Sequence, residues 1–192
     1  MSAKHAEHTV SLATAGPKIA DGDLLLFRRR GLIAIAGRGT HSHAAKAAWW
    51  NDDLFCLEVR EWHGGRAVTL RSQVERHPSR IDVYRANAHE RWPEYDRARA
   101  TKFMRRLAGC DYGYAAVLAA AMLHLPVVRL AVWAEMDDSA IDRRPPFCSH
   151  ACAMADRLGG GVDPVPHLAD RLTEPADLAR SPFYQYFSTL VP

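Results

Sequence analysis

Phe147-Cys148-Ser149-His150 follows Pro145-Pro146 at a point where a helical pattern begins. A thiol at a helix start faces unpaired N–H groups and the positive end of the helix dipole, which favour the nucleophilic thiolate. Far upstream, His43 and Glu58 fall on two apolar-rich segments separated by Asn51-Asp52-Asp53, a hairpin composition. With the tip centred on Asn51-Asp52, His43 faces Arg60 and Glu58 faces Ala45, so His43 and Glu58 become diagonal neighbours on one side of the ribbon. A register slip of one residue would separate them. In the productive register Glu58 orients His43 through one ring nitrogen and leaves the other for Cys148. The three then supply a nucleophile, a base and an orienting acid. The backbone N–H of Cys148 adds an oxyanion donor.

Each residue also has a simpler explanation. An isolated cysteine is commonly a small buried hydrophobe, which is the expectation for Cys56 and Cys110, and Cys152 lies one turn after Cys148, placed to pack beneath it. It is the combination at these positions that points to chemistry. Cys148, His150 and Cys152 do not make a good zinc set, because on a helix the cysteines share a face and His150 points away.

Around these residues the chain orders itself as strands, then helices. Residues 1–20 read as a flexible lead-in, with residues 21–192 as one domain. Strands are expected over Leu24–Phe27, Ser42–Trp50, Leu54–Arg60, Arg66–Leu70 and Ile81–Tyr84, while Gly31–Gly37 fits a short helix or a strand. A helix is expected with Pro93 in its first turn, running through Tyr95 and Leu107 up to Gly109, followed by an alanine-rich one from Tyr114 and a third opening near Cys148. The third carries Phe147, Ala151, Met154 and Leu158 as one apolar stripe and ends at Gly159-Gly160-Gly161. Phe183, Tyr184, Tyr186 and Phe187 close a proline-rich C-terminal stretch. This order argues for an α+β fold, a small antiparallel sheet or open barrel packed against helices.

Composition narrows the function classes. The 192 residues are 48% hydrophobic and 24% charged, as in an ordinary globular protein. A net charge of +3 with scattered arginine pairs gives nucleic acid no basic patch to bind. The N-terminus lacks an apolar run of signal-peptide length. The longest apolar stretch, Tyr114 to Leu125, is shorter than the roughly 20 residues a transmembrane helix needs, which leaves peripheral membrane contact as the only membrane role. Four cysteines without paired spacing suit a reducing compartment, hence a cytoplasmic location. Oligomeric state is not legible.

The chain resembles the circularly permuted papain-like cysteine hydrolases of the NlpC superfamily, in particular the YiiX-like branch. The resemblance rests on Gly22-Asp23-Leu24-Leu25-Leu26-Phe27, Ser42-His43-Ala44, Leu57-Glu58-Val59 and Phe147-Cys148-Ser149, in that order. Leu107-Ala108-Gly109-Cys110-Asp111-Tyr112 and the segment from Glu174 to Pro182 extend it from about residue 20 to the end. It implies a permuted papain-like fold with Cys148 as nucleophile, His43 as base and acid, and Glu58 as its orienter. His41, Ser149 and Tyr112 are the expected substrate or oxyanion support. Amide or ester bonds in peptide, peptidoglycan or acyl-lipid substrates are the implied targets, with no metal or organic cofactor. Two positions depart from the family pattern: His41, where an aromatic residue is common, and Lys46, in a strand that is commonly apolar. On a regularly alternating strand His41 would share a face with His43 and rival it as base. The 123–141 segment reads as a lid or specificity insertion. Permuted lipid acyltransferases and phospholipases are the alternative enzyme class, though they carry Asn-Cys-Glu-His where this chain has Phe147-Cys148-Ser149-His150. A catalytically inactive binding domain of the same fold is the non-enzymatic alternative.

Overall fold

A computed structural model describes residues 8–28, 39–113 and 145–192. The alanine-rich stretch from Tyr114, the 123–141 segment and the ambiguous Gly31–Gly37 run lie outside the described residues.

Among the described residues seven strands form one open mixed sheet in the order β1-β7-β6-β2-β3-β4-β5. The strands are β1 (Thr9–Ser11), β2 (Leu24–Arg28), β3 (His41–Trp50), β4 (Asp53–Arg60), β5 (Gly64–Thr69), β6 (Ile81–Ala86) and β7 (Tyr184–Val191). All neighbours are antiparallel except β1 and β7. The continuous apolar run of β2 follows from its central place: Leu24 and Leu26 enter one core cluster, Leu25 and Phe27 the other. The α+β class is as expected, with a wider sheet than the sequence suggests.

Helices cover both faces. On one lie α3 (Arg97–Arg106), α4 (Cys148–Met154) and α5 (Pro175–Arg180), which put Met104, Ala151 and Leu178 against Ala44, Ala48 and Leu57. On the other lie α1 (Leu12–Ala15) and α2 (Leu70–Arg76), whose Ala15, Leu70 and Val74 pack on Ala45 and Ala47. Caps set the helix starts. Asp96 accepts the Arg99 N–H at α3, and Glu174 and Asp177 form a capping box around Pro175 at α5. Among the described residues no helix is long and apolar enough to cross a membrane.

Three expectations change. Residues 8–20 are not a lead-in: Thr9–Ser11 pairs with β7, and Ala15 and Ile19 are buried. Leu158 leaves the apolar stripe of α4 and is exposed, because the helix widens into a π-helical turn over Ala155–Gly159 and rotates it outward. Phe183 and Tyr184 are core residues, and the C-terminal aromatic stretch forms a strand, β7, where none was expected.

Candidate active site

The hairpin has the register that brings His43 to Glu58. Its ladder runs from Trp50↔Asp53 to Lys46↔Leu57, with Asn51 at the tip in the left-handed conformation that asparagine tolerates (φ 54°). Extending that register sets Glu58 opposite Ala45 and diagonal to His43. His43 Nε2 and Glu58 Oε2 are 2.6 Å apart. The other carboxylate oxygen, Oε1, accepts from Arg66 Nε at 2.8 Å and from its terminal nitrogen at 2.6 Å. Arg66 is the direct partner of Glu58 across β4 and β5. A second guanidinium, Arg60, stands 3.7 Å from Oε1.

Cys148 is the first residue of α4 and is buried beside this pair. The His43 ring and the backbone N–H groups of Ala44 and Ser149 lie against its thiol and favour the thiolate. The β3–β4 ladder stops at Lys46↔Leu57. Beyond it the Ala44 amide serves the sulfur in place of β4.

The electrostatics form one coupled set. Burial raises the Cys148 thiol, yet the His43 ring and the two amides outweigh it and hold the thiol below its ordinary range. For His43, burial works against the charge, but the bonds and charges of Cys148 and Glu58 carry its pKa up to about 9. Glu58 would also be raised by burial; His43 and Arg66 bring it down to about 2. The arrangement favours thiolate beside imidazolium. Cys152 and Cys56 are held well above the ordinary thiol range, chiefly by burial, and are poor nucleophiles.

The three expected supporting residues fall in different places. His41 is not beside His43. Phe27 pairs with His43 and Arg28 with His41, so Ser42 is the extra residue of a β-bulge and the two histidines turn to opposite sides of the sheet. His43 meets the Phe27 ring, whereas His41 meets Tyr84 and bonds Asp82 through Nε2 at 2.8 Å. Asp82 in turn accepts from Thr189 at 2.6 Å. Ser149 is fully buried and its hydroxyl donates to the Thr173 carbonyl at 2.7 Å, so only its amide faces the sulfur. Tyr112 packs against Phe147 and Cys148.

A strap of backbone seats Tyr112 there. The Gly65 N–H donates to the Cys110 carbonyl at 2.8 Å, Gly109 to Gly65 at 2.7 Å, and Gly113 to Pro146 at 3.0 Å. A Cβ on Gly65 would stand 1.7 Å from the Leu107 carbonyl, and one on Gly113 2.0 Å from that of Pro145. Glycine is required for these approaches.

Sequence reasoning missed Arg66, the Ala44 amide and the role of Lys46. The alternation of β5 after Gly64-Gly65 was the available signal for Arg66, since it sets Arg66 on the face of Glu58. No sequence pattern marks the Ala44 amide, which depends on where the ladder stops. Among the described residues no group of three or more His, Cys, Asp and Glu side chains is placed to hold a metal ion.

Comparisons with known proteins add the fold. No family model matches the chain, and no curated protein matches it. Among solved structures, the crystal structure of the metalloprotein YiiX from Escherichia coli O157:H7 is similar with a TM-score of 0.59, covering 91% of this chain and 99% of that one at 12% identity. At that identity the likeness is one of architecture: an α+β, YiiX-like fold.

Proposed function

We propose that this chain is a thiol-dependent hydrolase that cleaves an amide or ester bond, of the peptidase or amidase type, in a cytoplasmic setting where its four cysteines stay free. The observation that carries this reading is the buried contact of Cys148 with His43, with His43 held from behind by Glu58. The Cys148 thiolate attacks the carbonyl carbon, and the oxyanion that forms accepts from the Cys148 N–H. The His43 imidazolium gives its proton to the leaving amine or alcohol as the C–N or C–O bond breaks, leaving a thioester. Neutral His43 then takes a proton from water, whose oxygen attacks the thioester; collapse releases the acid and restores thiolate and imidazolium. Glu58 keeps the ring aimed throughout, and Arg66 keeps Glu58 charged.

The YiiX structure is described as that of a metalloprotein. The donors here do not fit such a group: Cys148 and His43 satisfy each other, and both oxygens of Glu58 are taken by His43 and Arg66. No step is routed through a metal.

The test pairs thiolate ultraviolet absorbance with iodoacetamide alkylation across pH, read on the Cys148 peptide by mass spectrometry, in wild type and His43→Ala. A thiolate present well below the ordinary pKa of about 8.5, lost in His43→Ala, is the expected result. Wild type should also release nitrophenol from a nitrophenyl acyl ester with a burst and a Cys148 adduct. An ordinary thiol profile in wild type overturns the reading.

A further inference from the structure

Lys46 is a charged residue on a strand surrounded by alanines, and it is 1% exposed. Its ammonium donates to both oxygens of Asp156, at 2.8 and 2.7 Å, to the Tyr184 hydroxyl at 2.8 Å and to the Gly22 carbonyl at 3.1 Å. Asp156 also accepts from Tyr95 at 2.8 Å and from Tyr184. Every donor of the ammonium is used, and both carboxylate oxygens are shared. A buried pair of this kind adds little net stability over a well-packed apolar substitute; its best-attested use is to fix register.

The apolar part of this interface specifies little register. Cys148, Cys152 and Asp156 lie at four-residue intervals, one ridge of the helix running along β3. Between its ends the ridge is flanked by Ala151 and Ala155 and packs on Ala44 and Ala48 of β3. Such small side chains present few knobs to resist sliding or tilting. At one end of the ridge Cys148 meets His43 and Ala44, and at the other Asp156 meets Lys46. The helix widens into its π-helical turn at Ala155–Gly159, which is where Asp156 turns in to reach the ammonium.

We propose that the Lys46–Asp156 pair is a positioning device for the nucleophile, a polar clamp that fixes α4 along β3 so that the Cys148 sulfur stays within reach of His43 and the Ala44 amide. This deepens the hydrolase reading and rests on it only for the existence of the Cys148–His43 pair. Lys46 touches neither the sulfur nor His43. It acts through the placement of the helix, and a displacement of about 1 Å suffices to break a productive hydrogen-bond geometry.

The pair is net neutral, so removing both charges together leaves the net charge unchanged and removes only the dipole of the pair from the field at the sulfur. Lys46→Met with Asp156→Asn does this and keeps an acceptor for the tyrosine hydroxyls. The readouts are thermal unfolding, thiolate absorbance against pH, and alkylation of the Cys148 peptide. The expected double variant is folded, titrates toward an unassisted buried thiol, and is alkylated about tenfold more slowly at mildly acidic pH, where only an assisted thiol is ionised. Asp156→Asn alone, nearly the same shape but with one acceptor oxygen where the carboxylate has two, loses part of the clamp; it should shift in the same direction and decides the matter if the double variant does not fold. A folded variant with the wild-type thiolate profile overturns the clamp, leaving a purely structural ion pair. An ordinary profile already in wild type overturns the hydrolase reading instead, so the two failures are distinct.

Discussion

Arg66 donates from Nε and from a terminal nitrogen to the same oxygen of Glu58, at 2.8 and 2.6 Å, which leaves the other oxygen for His43. The Glu58 carboxylate is thereby gripped on both sides, charged and fixed in plane. Losing Arg66 would leave the buried carboxylate with the His43 bond and the more distant Arg60 guanidinium, and burial would raise its pKa. Arg66→Met is expected to cost about 1.5–3 kcal/mol by urea unfolding, the range for a hydrogen bond to a charged group, and to lower the thiolate absorbance of Cys148 at neutral pH. Arg66→Lys should recover only part of both, because it restores the charge without the planar fork.

The alkaline limit of activity should fall near the His43 pKa. Catalysis needs thiolate and imidazolium together, a state that exists between the lowered pKa of Cys148 and the value of about 9 for His43. Above that value His43 has lost the proton it must give to the leaving group. The pH profile of kcat/KM on an acyl ester is expected to be bell-shaped, with its falling limb at about 9. A falling limb near 7 would contradict the raised histidine.

Acid should destabilise the fold through Glu58. Its pKa is lowered from 4.5 to about 2 in the folded protein. Its contribution is therefore complete above the unfolded value and is lost as pH falls toward the folded one. On the scale of about 1.4 kcal/mol per pKa unit the amount is about 3 kcal/mol. Urea midpoints of wild type should drop between about pH 5 and about pH 2, and Glu58→Gln should lose that part of the slope.

His41→Ala separates the two histidines. His41 is bonded to Asp82 on the far side of a bulge from His43. The variant should unfold more easily by about 1–3 kcal/mol, since a buried carboxylate loses a partner, while the titration of Cys148 stays as in wild type. A shifted titration would return His41 to the site.

Gly65→Ala tests the strap. The new methyl group would collide with the Leu107 carbonyl, 1.7 Å away, and push back the segment that carries Tyr112. Overpacking of this kind costs about 1–3 kcal/mol, and Cys148 should be alkylated faster once Tyr112 is lifted. Gly16→Ala is the control: it has open space and helical backbone, and should be neutral or stabilising by about 0.4–1 kcal/mol.

The local features of this site were written in the sequence. Asn51-Asp52 forces a tight reversal, and side chains alternate along each strand. A register that pairs His43 with Glu58 follows from counting outward from that tip. The start of α4 at Cys148 was likewise readable, because Pro145-Pro146 cannot lie inside a helix and the apolar spacing begins after them. These rules act over a few residues, and they held.

What tertiary structure alone decided acts over longer separations. The bulge at Ser42 reverses the side on which His41 lies, and it arises from how β2 meets β3. Lys46 looked out of place on an apolar strand until Asp156 and Tyr184 arrived from two other segments to hold its charge, with Tyr95 bonded to Asp156 behind them. The Ala44 amide is available to the sulfur because a ladder ends there. Composition and periodicity report the preferences of a segment for helix, strand or burial. Which distant groups satisfy a given donor or charge is set by packing, and only the folded chain contains that information.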